Sequence, residues 1–276
     1  MATEGPLACS VRNCGAALAR RGNTLACAHG HAFDVAKSGY VNLLQPQDRR
    51  SLAAGDGRAE IEARARLLAA GTGRALSEAL ATCVAELAPR PGAVAVELGS
   101  GSGEHLEALA ERFGLLAIGI DLASAAAEHA ARRFPARTWI VANADRRLPL
   151  LDGGVDLVLS IHGRRNPAEC ARVLAPGGHL LAALPAADDL SELRARVQGE
   201  GLERERTSAF LAEHEAHFAL RSRATARARL RCPRALLLDL LTGTYRGARH
   251  GAAAALEGLL ELEVTLASDL LLLARR

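Results

Sequence analysis

Apolar residues recur along the chain with two periods, and the switches between them mark its elements. From about Ala59 to Leu87 they return every three or four residues: Ile61, Ala65 and Leu68, then Leu76, Leu80, Val84 and Leu87. That is the spacing of one helix face. Gly71-Thr72-Gly73 interrupts the run, which predicts two helices, and Pro89, Pro91 and Gly92 stop the second. Short continuous apolar runs then take over at Ala93–Leu98, Leu115–Ile120, Trp139–Ala142, Val155–Ser160 and His179–Leu184, with helical stretches such as HLEALAERF between them. Strands covered on both faces read this way, and their alternation with helices predicts a doubly wound α/β sheet. Late in the chain, arginine occupies every second position from Arg221 to Arg223 and from Arg227 to Arg231, which on a strand places these residues on one face. The stripe has two readings, a track for phosphates or the solvated face of an edge strand. Nearby Glu203, Glu205, Glu213 and Glu215 favour the second.

Composition narrows the class without naming a partner. The 276 residues are 49% hydrophobic and 24% charged, which excludes intrinsic disorder. A net charge of +3 does not demand a nucleic acid. Lys37 is the only lysine and aromatics make up 3%, so the core must be aliphatic. No apolar run reaches the ~18 residues that span a bilayer, and the first residues lack the features of a signal peptide, so we expect a cytoplasmic protein with no membrane contact. Six cysteines in a reducing compartment are free thiols or metal ligands.

Their placement separates the two. Cys9, Cys14, Cys27 and His31 supply two short ligand pairs around a loop, the pattern of a structural zinc site with no open position, whereas Cys83, Cys170 and Cys232 are isolated and read as core thiols. His29 is too cramped against Cys27 to be the fourth ligand. The alternative is three free thiols and two solvated histidines. The segment from His31 to Leu44 predicts a strand and turn that complete the ribbon, with Phe33 plugging it. Gln45 to Arg50 reads as an exposed linker.

Chemistry also concentrates at the ends of the central strands. Glu97-Leu98-Gly99-Ser100-Gly101-Ser102-Gly103 joins a buried strand to a helix, and glycines there let a ligand approach the backbone near unpaired N–H groups. Asp121, followed by Leu122, ends the second strand, where a carboxylate can accept both hydroxyls of a ribose. Asn143-Ala144-Asp145 ends the third strand and is placed to read an adenine, and Ser160-Ile161-His162 ends the fourth on the acceptor side. Glu97 lies ahead of the glycine loop, where dinucleotide folds place an apolar residue or glycine. This order resembles class I S-adenosylmethionine-dependent methyltransferases, and implies a Rossmann-like, doubly wound, seven-stranded, mostly parallel sheet. In that family Glu97, Gly99, Ser100, Gly101 and Gly103 would hold the methionine part of the cofactor, Asp121 the ribose, and the Asn143–Asp145 loop the adenine, with Leu122 and Ser160 lining the same site.

With the ribbon included, the chain is similar to the zinc-containing 23S ribosomal RNA (guanine-N1)-methyltransferases. The match rests on His31-x-Phe33-Asp34-x-Ala36-Lys37-x-Gly39-Tyr40-Val41-Asn42-Leu43-Leu44, Ala63-Arg64 with Leu68 and Gly71, Leu148-Pro149-Leu150, and Arg165-Asn166-Pro167. The resemblance implies a zinc ribbon over residues 1–46, a methyltransferase domain over 47–276 with a helical lead-in at 57–88, a 23S rRNA hairpin as partner, and a homodimer. It departs from the family at Cys9-x4-Cys14, usually Cys-x2-Cys; at Thr72-Gly73, usually His-Tyr; at Gly163-Arg164-Arg165, usually Ala-Pro-Arg; and at Leu241–Gly247 in place of a Pro and Trp motif. On the acceptor side we expect His162 or Asn166 to contact the base edge and Arg164 or Arg165 to stabilise its O6, with Tyr245 as a stacking surface. A small-molecule methyltransferase of the same ancestry and a catalytically silent RNA-binding homologue are the alternatives.

Overall fold

The structure, a computed structural model, describes residues 5–48, 55–199, 205–244 and 253–276. Three short antiparallel strands open the chain: β1 (Leu18–Arg21), β2 (Thr24–Cys27) and β3 (Ala32–Asp34). The next strand, β4 (Val41–Asn42), leaves them. Two helices follow, α1 (Arg58–Ala69) and α2 (Arg74–Glu86), parted at Gly71–Gly73 as their periodicity predicts. The alternating region then runs β5 (Val94–Leu98), α3 (Glu104–Phe113), β6 (Leu116–Asp121), α4 (Ser124–Arg133), β7 (Thr138–Val141), β8 (Val155–Ile161), α5 (Pro167–Val173) and β9 (Leu174–Pro185). After α6 (Ser191–Gln198) and α7 (Thr207–His214) come β10 (Phe218–Pro233), α8 (Arg234–Thr244) and β11 (Glu261–Arg275).

The main sheet has the order β10-β11-β9-β8-β5-β6-β7-β4, with β11 antiparallel to both neighbours and the strands from β9 to β4 parallel. The sheet has eight strands where the resemblance implies seven; the sequence pattern does not locate its last strand, β11, and β4 corrects the expectation that this segment completes the ribbon. Val41 pairs with Ile140 and Asn42 with Val141. Val41 and Leu43, 4% and 1% exposed, are buried in the core that sheet and ribbon share, and the β7 edge supplies backbone groups for the strand to pair with. Gln45 to Asp48 is likewise a bracket and not a free linker: Gln45 donates to Ser10, and the Asp48 carbonyl accepts from Asn143. Arg49 and Arg50 lie outside the described residues.

Side chains alternate through the sheet. Val96, Leu98, Ile118, Ile120, Ile140 and Val158 pack on one side with Leu7 and Leu25 from the ribbon, with Val41 and Leu43 of the segment that follows it, and with α5 and α7. Ala95, Ala117, Leu157, Leu159 and Trp139 face α2, α3 and α4 on the other. The ribbon therefore occupies the place of a helical layer, and its core is continuous with that of the sheet. Cys83, Cys170 and Cys232 are buried, and burial pushes the Cys170 thiol up to about 12.

At the far edge, the arginine stripe of β10 is paired. Arg223 meets Asp269 at 3.3 Å, Arg227 meets Asp188 at 2.9 Å, Arg229 meets Glu263 at 3.9 Å and Arg231 meets Glu261 at 3.1 Å. Arg221 is bonded to His179. The solvated-face reading holds for this stripe, with a correction to its partners. The acids come from β11 and the loop after β9, not from the glutamates nearest in sequence.

Candidate active site and metal centre

Cys9, Cys14, Cys27 and His31 converge from the first knuckle and the β2–β3 turn, with all four ligand atoms within 4.8 Å of one another. His31 Nδ1 lies 3.5 Å from both Cys9 Sγ and Cys27 Sγ, and Cys14 Sγ lies 3.9 Å from Cys27 Sγ. A tetrahedral zinc with ~2.3 Å sulfur and ~2.0 Å nitrogen bonds sets sulfurs ~3.8 Å apart and sulfur–nitrogen pairs ~3.6 Å apart. The set fits that ion. His29 approaches Cys14 Sγ at 3.3 Å but stays exposed, outside the fourfold cluster.

The glycine loop caps β5. Gly103 has φ +87°, and a Cβ there would meet the Trp139 ring at 2.4 Å, so the turn into α3 requires glycine and rests on a buried indole. Trp139 is thus core, its Nε1 donating to the Phe134 carbonyl. Behind the loop, Glu97 is 2% exposed and its Oε2 has no partner; the buried Ser100 Oγ has none either. Burial, reinforced by the charges of Glu104 and Asp121, raises the Glu97 carboxyl well above its usual range. A backbone hydrogen bond from Leu106 opposes that shift, and the other carboxyl oxygen is left over; a buried acid with an unsatisfied oxygen is costly in the protein alone and suits a cationic ligand group. Asp121 clamps the loop, accepting from Gly101 N at 2.9 Å and Ala123 N at 2.8 Å. Burial raises its carboxyl, although those two N–H bonds oppose the shift. Leu122 is half-buried beside it.

The third-strand loop is less free than its sequence suggests. Asn143 Nδ2 donates to the Asp48 carbonyl and its Oδ1 accepts from Asp145 N, so this amide fastens the ribbon and shapes the turn. Half-buried Ala144 and Asp145 remain at the strand end, and Asp145 Oδ2 is held by Arg164 Nε at 2.7 Å.

On the acceptor side, His162 ends β8 in the left-handed region at φ +52°, its Nε2 2.9 Å from Ser268 Oγ of β11. The residue as a whole is exposed. Desolvation of the packed part of the ring, then the charges of His105 and Arg206, lower the imidazole to about 4, so it is neutral at pH 7. Three neighbours have tasks other than those expected. Ser160 is fully buried and, with Arg165 Nη1, binds the Gly163 carbonyl from below. Arg165 stacks inward, its guanidinium 4.3 Å from the centre of the Phe210 ring. Asn166 caps α5, accepting from Ala168 N and Glu169 N ahead of Pro167. Gly163 itself lies on the strand that leads into the glycine loop: a Cβ there would be 2.5 Å from the Leu98 carbonyl. His162 and Arg164 are the two exposed side chains between Ser160 and Asn166. Tyr245 lies outside the described residues.

Sequence spacing could not identify two further contributors. Ser268 reaches His162 across 106 positions. Arg64 of α1, paired with Asp56, lies against Gly101 and covers the glycine loop. Half-buried Asp189, raised by desolvation to about 6, accepts from Ala267 N, next in the chain to Ser268. Among the described residues no helix is long and apolar enough to cross a membrane.

Comparison with known proteins agrees with this geometry. The family described as "RlmA, N-terminal" matches residues 8–52, and "Methyltransferase domain" matches residues 95–178. The 23S rRNA (guanine(748)-N(1))-methyltransferase of Streptomyces fradiae is 40% identical over 187 residues, which cover 66% of this chain and 64% of that protein. A candidate 23S rRNA (guanine-N(1)-)-methyltransferase of Micromonospora griseorubida is 34% identical over 231 residues, covering 79% of this chain and 77% of that one. Among solved structures, a candidate methyltransferase of Bacillus halodurans superposes with a TM-score of 0.51 at 14% identity, over 70% of this chain and 97% of that one, which shows the shared fold.

Proposed function

The chain belongs to the 23S rRNA (guanine-N1)-methyltransferase family, and from that premise we propose that it transfers a methyl group from S-adenosylmethionine to N1 of a guanine in a 23S rRNA hairpin. The observation that carries this reading is the buried Glu97 carboxyl behind the glycine loop, which has one oxygen left without a partner, with Asp121 one strand away. S-adenosylmethionine, when bound, supplies an electrophilic methyl group on a sulfonium. Glu97 would hold its ammonium, the loop N–H groups its carboxylate and Asp121 its ribose. Holding the attacking nitrogen in line contributes about 7–11 kcal/mol to lowering such a barrier. His162, neutral at pH 7, adds no positive charge opposite a sulfonium and can hydrogen-bond the edge of the base. Arg164 is the cation left to stabilise charge that grows on O6 as N1 gives up its proton to solvent and takes the methyl group, with S-adenosylhomocysteine as the leaving thioether. The Cys9, Cys14, Cys27 and His31 set would hold zinc with no open position, so its contribution is to the fold. Such an enzyme works where ribosomes are made, in the cytoplasm.

Two measurements test the proposal. Calorimetry should show one S-adenosylmethionine per chain, and primer extension on 23S rRNA should stop at N1-methylguanine in the parent strain and read through in a deletion strain. Cofactor binding with an unchanged rRNA map would move the acceptor to a small molecule. Absence of cofactor binding would defeat methyl transfer altogether.

A further inference from the structure

The widened first knuckle has a structural consequence. Cys9 to Cys14 forms one wall of a cavity of about 360 Å³, and the chain after the third-strand loop, Arg146 to Pro149, forms the other. That volume is within the ~300–1,000 Å³ range of small-ligand sites. Arg12, inside the knuckle, and Arg146 and Arg147, opposite, all line it and are all exposed. Among the described residues the side chains of Arg12 and Arg146 have no hydrogen-bond or ion-pair partner, in contrast to the β10 stripe, where each arginine has one. Arg147 lies against Gly15, its guanidinium 3.4 Å from where a Cβ of that residue would sit, and among acids it senses Asp152 at a distance. Asp48 is the one carboxylate in the lining, and Asn13 and Gln47 add amides. Three thiolates around a dication would add one negative charge, so the three arginines still leave the cavity net positive.

Three guanidiniums that converge on a solvent-filled gap repel one another unless an anion lies between them. Planar, multidonor guanidiniums match phosphate oxygens. Position decides which phosphate. Ala142 and Asn143 form the back of the cavity and the start of the adenine loop, and Asp145 of that loop is tied to Arg164 at the acceptor mouth. An anion here therefore lies one loop away from the reacting centre. We propose that this seam between knuckle and sheet binds the phosphodiester backbone of the RNA that presents the target base. The inference rests on the function proposed above, in which RNA is the acceptor, and adds the surface that holds it.

The test is equilibrium binding of a labelled 23S rRNA hairpin transcript to the full chain across a salt series. Arg146→Ala and Arg147→Ala should each weaken binding several-fold, regardless of loop sequence, and reduce the salt slope by about one; the double variant should reduce it by about two. Arg146→Glu should weaken binding further. S-adenosylmethionine affinity and zinc content should not change, which certifies the fold. Arg90→Ala, at the opposite end of the sheet, should leave the slope unaltered. Variants that bind with the wild-type affinity and slope overturn the proposal even if the wild type methylates the RNA. Displacement of the hairpin by millimolar inorganic phosphate would show a free-anion site and also overturn it. The binding assay needs no turnover, so a chain that grips the hairpin through these arginines without methylating it would support the seam while refuting the enzyme.

Discussion

The metal centre and the acceptor loop each gather polar side chains at one point, but by opposite means. The centre takes its four ligands from 23 consecutive positions, Cys9 to His31, with backbone hydrogen bonds such as Cys27 N to the His31 carbonyl setting the turn. The acceptor loop has no such economy. His162 depends on Ser268 from the last strand, Gly163 on the Leu98 carbonyl from the first crevice strand, and Arg165 on Phe210 of a later helix. Local geometry can be read from spacing, because a short loop between ligand pairs has few ways to close. Geometry assembled across more than 100 residues depends on the whole sheet, and spacing is silent about it.

The largest effect is expected where local chemistry supports global packing. Replacing Cys27 with Ser, or stripping the protein with a strong chelator, should remove zinc, whose binding at such sites is worth about 10–16 kcal/mol. Leu7, Leu25, Val41 and Leu43 share the core of the sheet, so the damage should not stay in the ribbon. We expect a single thermal transition shifted down by many degrees, with metal content followed by elemental analysis. A chelated protein that melts at the holo temperature would show that the ribbon is held by its apolar contacts alone.

Next comes Glu97, which should separate stability from binding. Glu97→Gln removes a buried acid with one unsatisfied oxygen and should raise the melting temperature of the ligand-free protein, while weakening S-adenosylmethionine binding roughly 10- to 100-fold, about 1.4–2.7 kcal/mol. The pH dependence has a definite sign. The folded carboxyl is raised above its unfolded value, so the stability it contributes is present in full below about pH 4.5 and is lost as pH rises toward the folded value. Ligand-free wild type should lose stability across that window and the variant should not. Parallel curves would mean that this oxygen has a partner in solution.

These two regions also show how far the sequence could be read. The alternation of strand and helix, the helix break at Gly71–Gly73 and the four ligands follow from periods and spacings, and the structure contains each of them. The departures concern residues whose type fits two tasks. Asn143 and Asn166 have the amide that could read a base, but an asparagine beside a turn or ahead of Pro167 also satisfies backbone N–H groups, and here it does so. Arg165 resembles Arg164 in sequence, yet the aromatic beneath it turns it inward. The second partner of each is remote, so no local pattern could distinguish them. β4 was misplaced for a related reason: Val41 has strand character, but only the finished sheet offers it an edge.

A smaller effect should test the acceptor loop. With its pKa near 4, His162 should stay neutral from pH 5.5 to 8, so turnover should show no His step there, and the ring signals of His162 should not titrate in that range by NMR. Its folded value lies below the usual 6.5, so any stability it links is complete above pH 6.5 and declines as pH falls toward 4. His162→Ala should lower kcat about tenfold, close to one neutral hydrogen bond, with S-adenosylmethionine affinity unchanged. Ser268→Ala should share the loss partly and allow the ring to titrate nearer 6.5. An apparent pKa near 6.5 in the wild-type rate profile would place His162 in water and detach it from Ser268.

The smallest effect should come from the residues that look most like an RNA interface in sequence. Arg223 and Arg227 face Asp269 and Asp188, but each arginine is about half exposed, at 50% and 55% of its side chain. Ion pairs of this kind contribute roughly 0–1 kcal/mol. Replacing both with Ala should shift the melting temperature by a few degrees at most and leave the hairpin affinity and its salt slope where they were, because these charges already have protein counter-ions. The same pair of substitutions at Arg146 and Arg147 should move the slope by about two. The contrast separates arginine count from arginine availability: the stripe outnumbers the seam, and the seam is where charge is left for a phosphate. A reduced slope on replacing Arg223 and Arg227 would place RNA on the β10 edge and show that those ion pairs open to receive it.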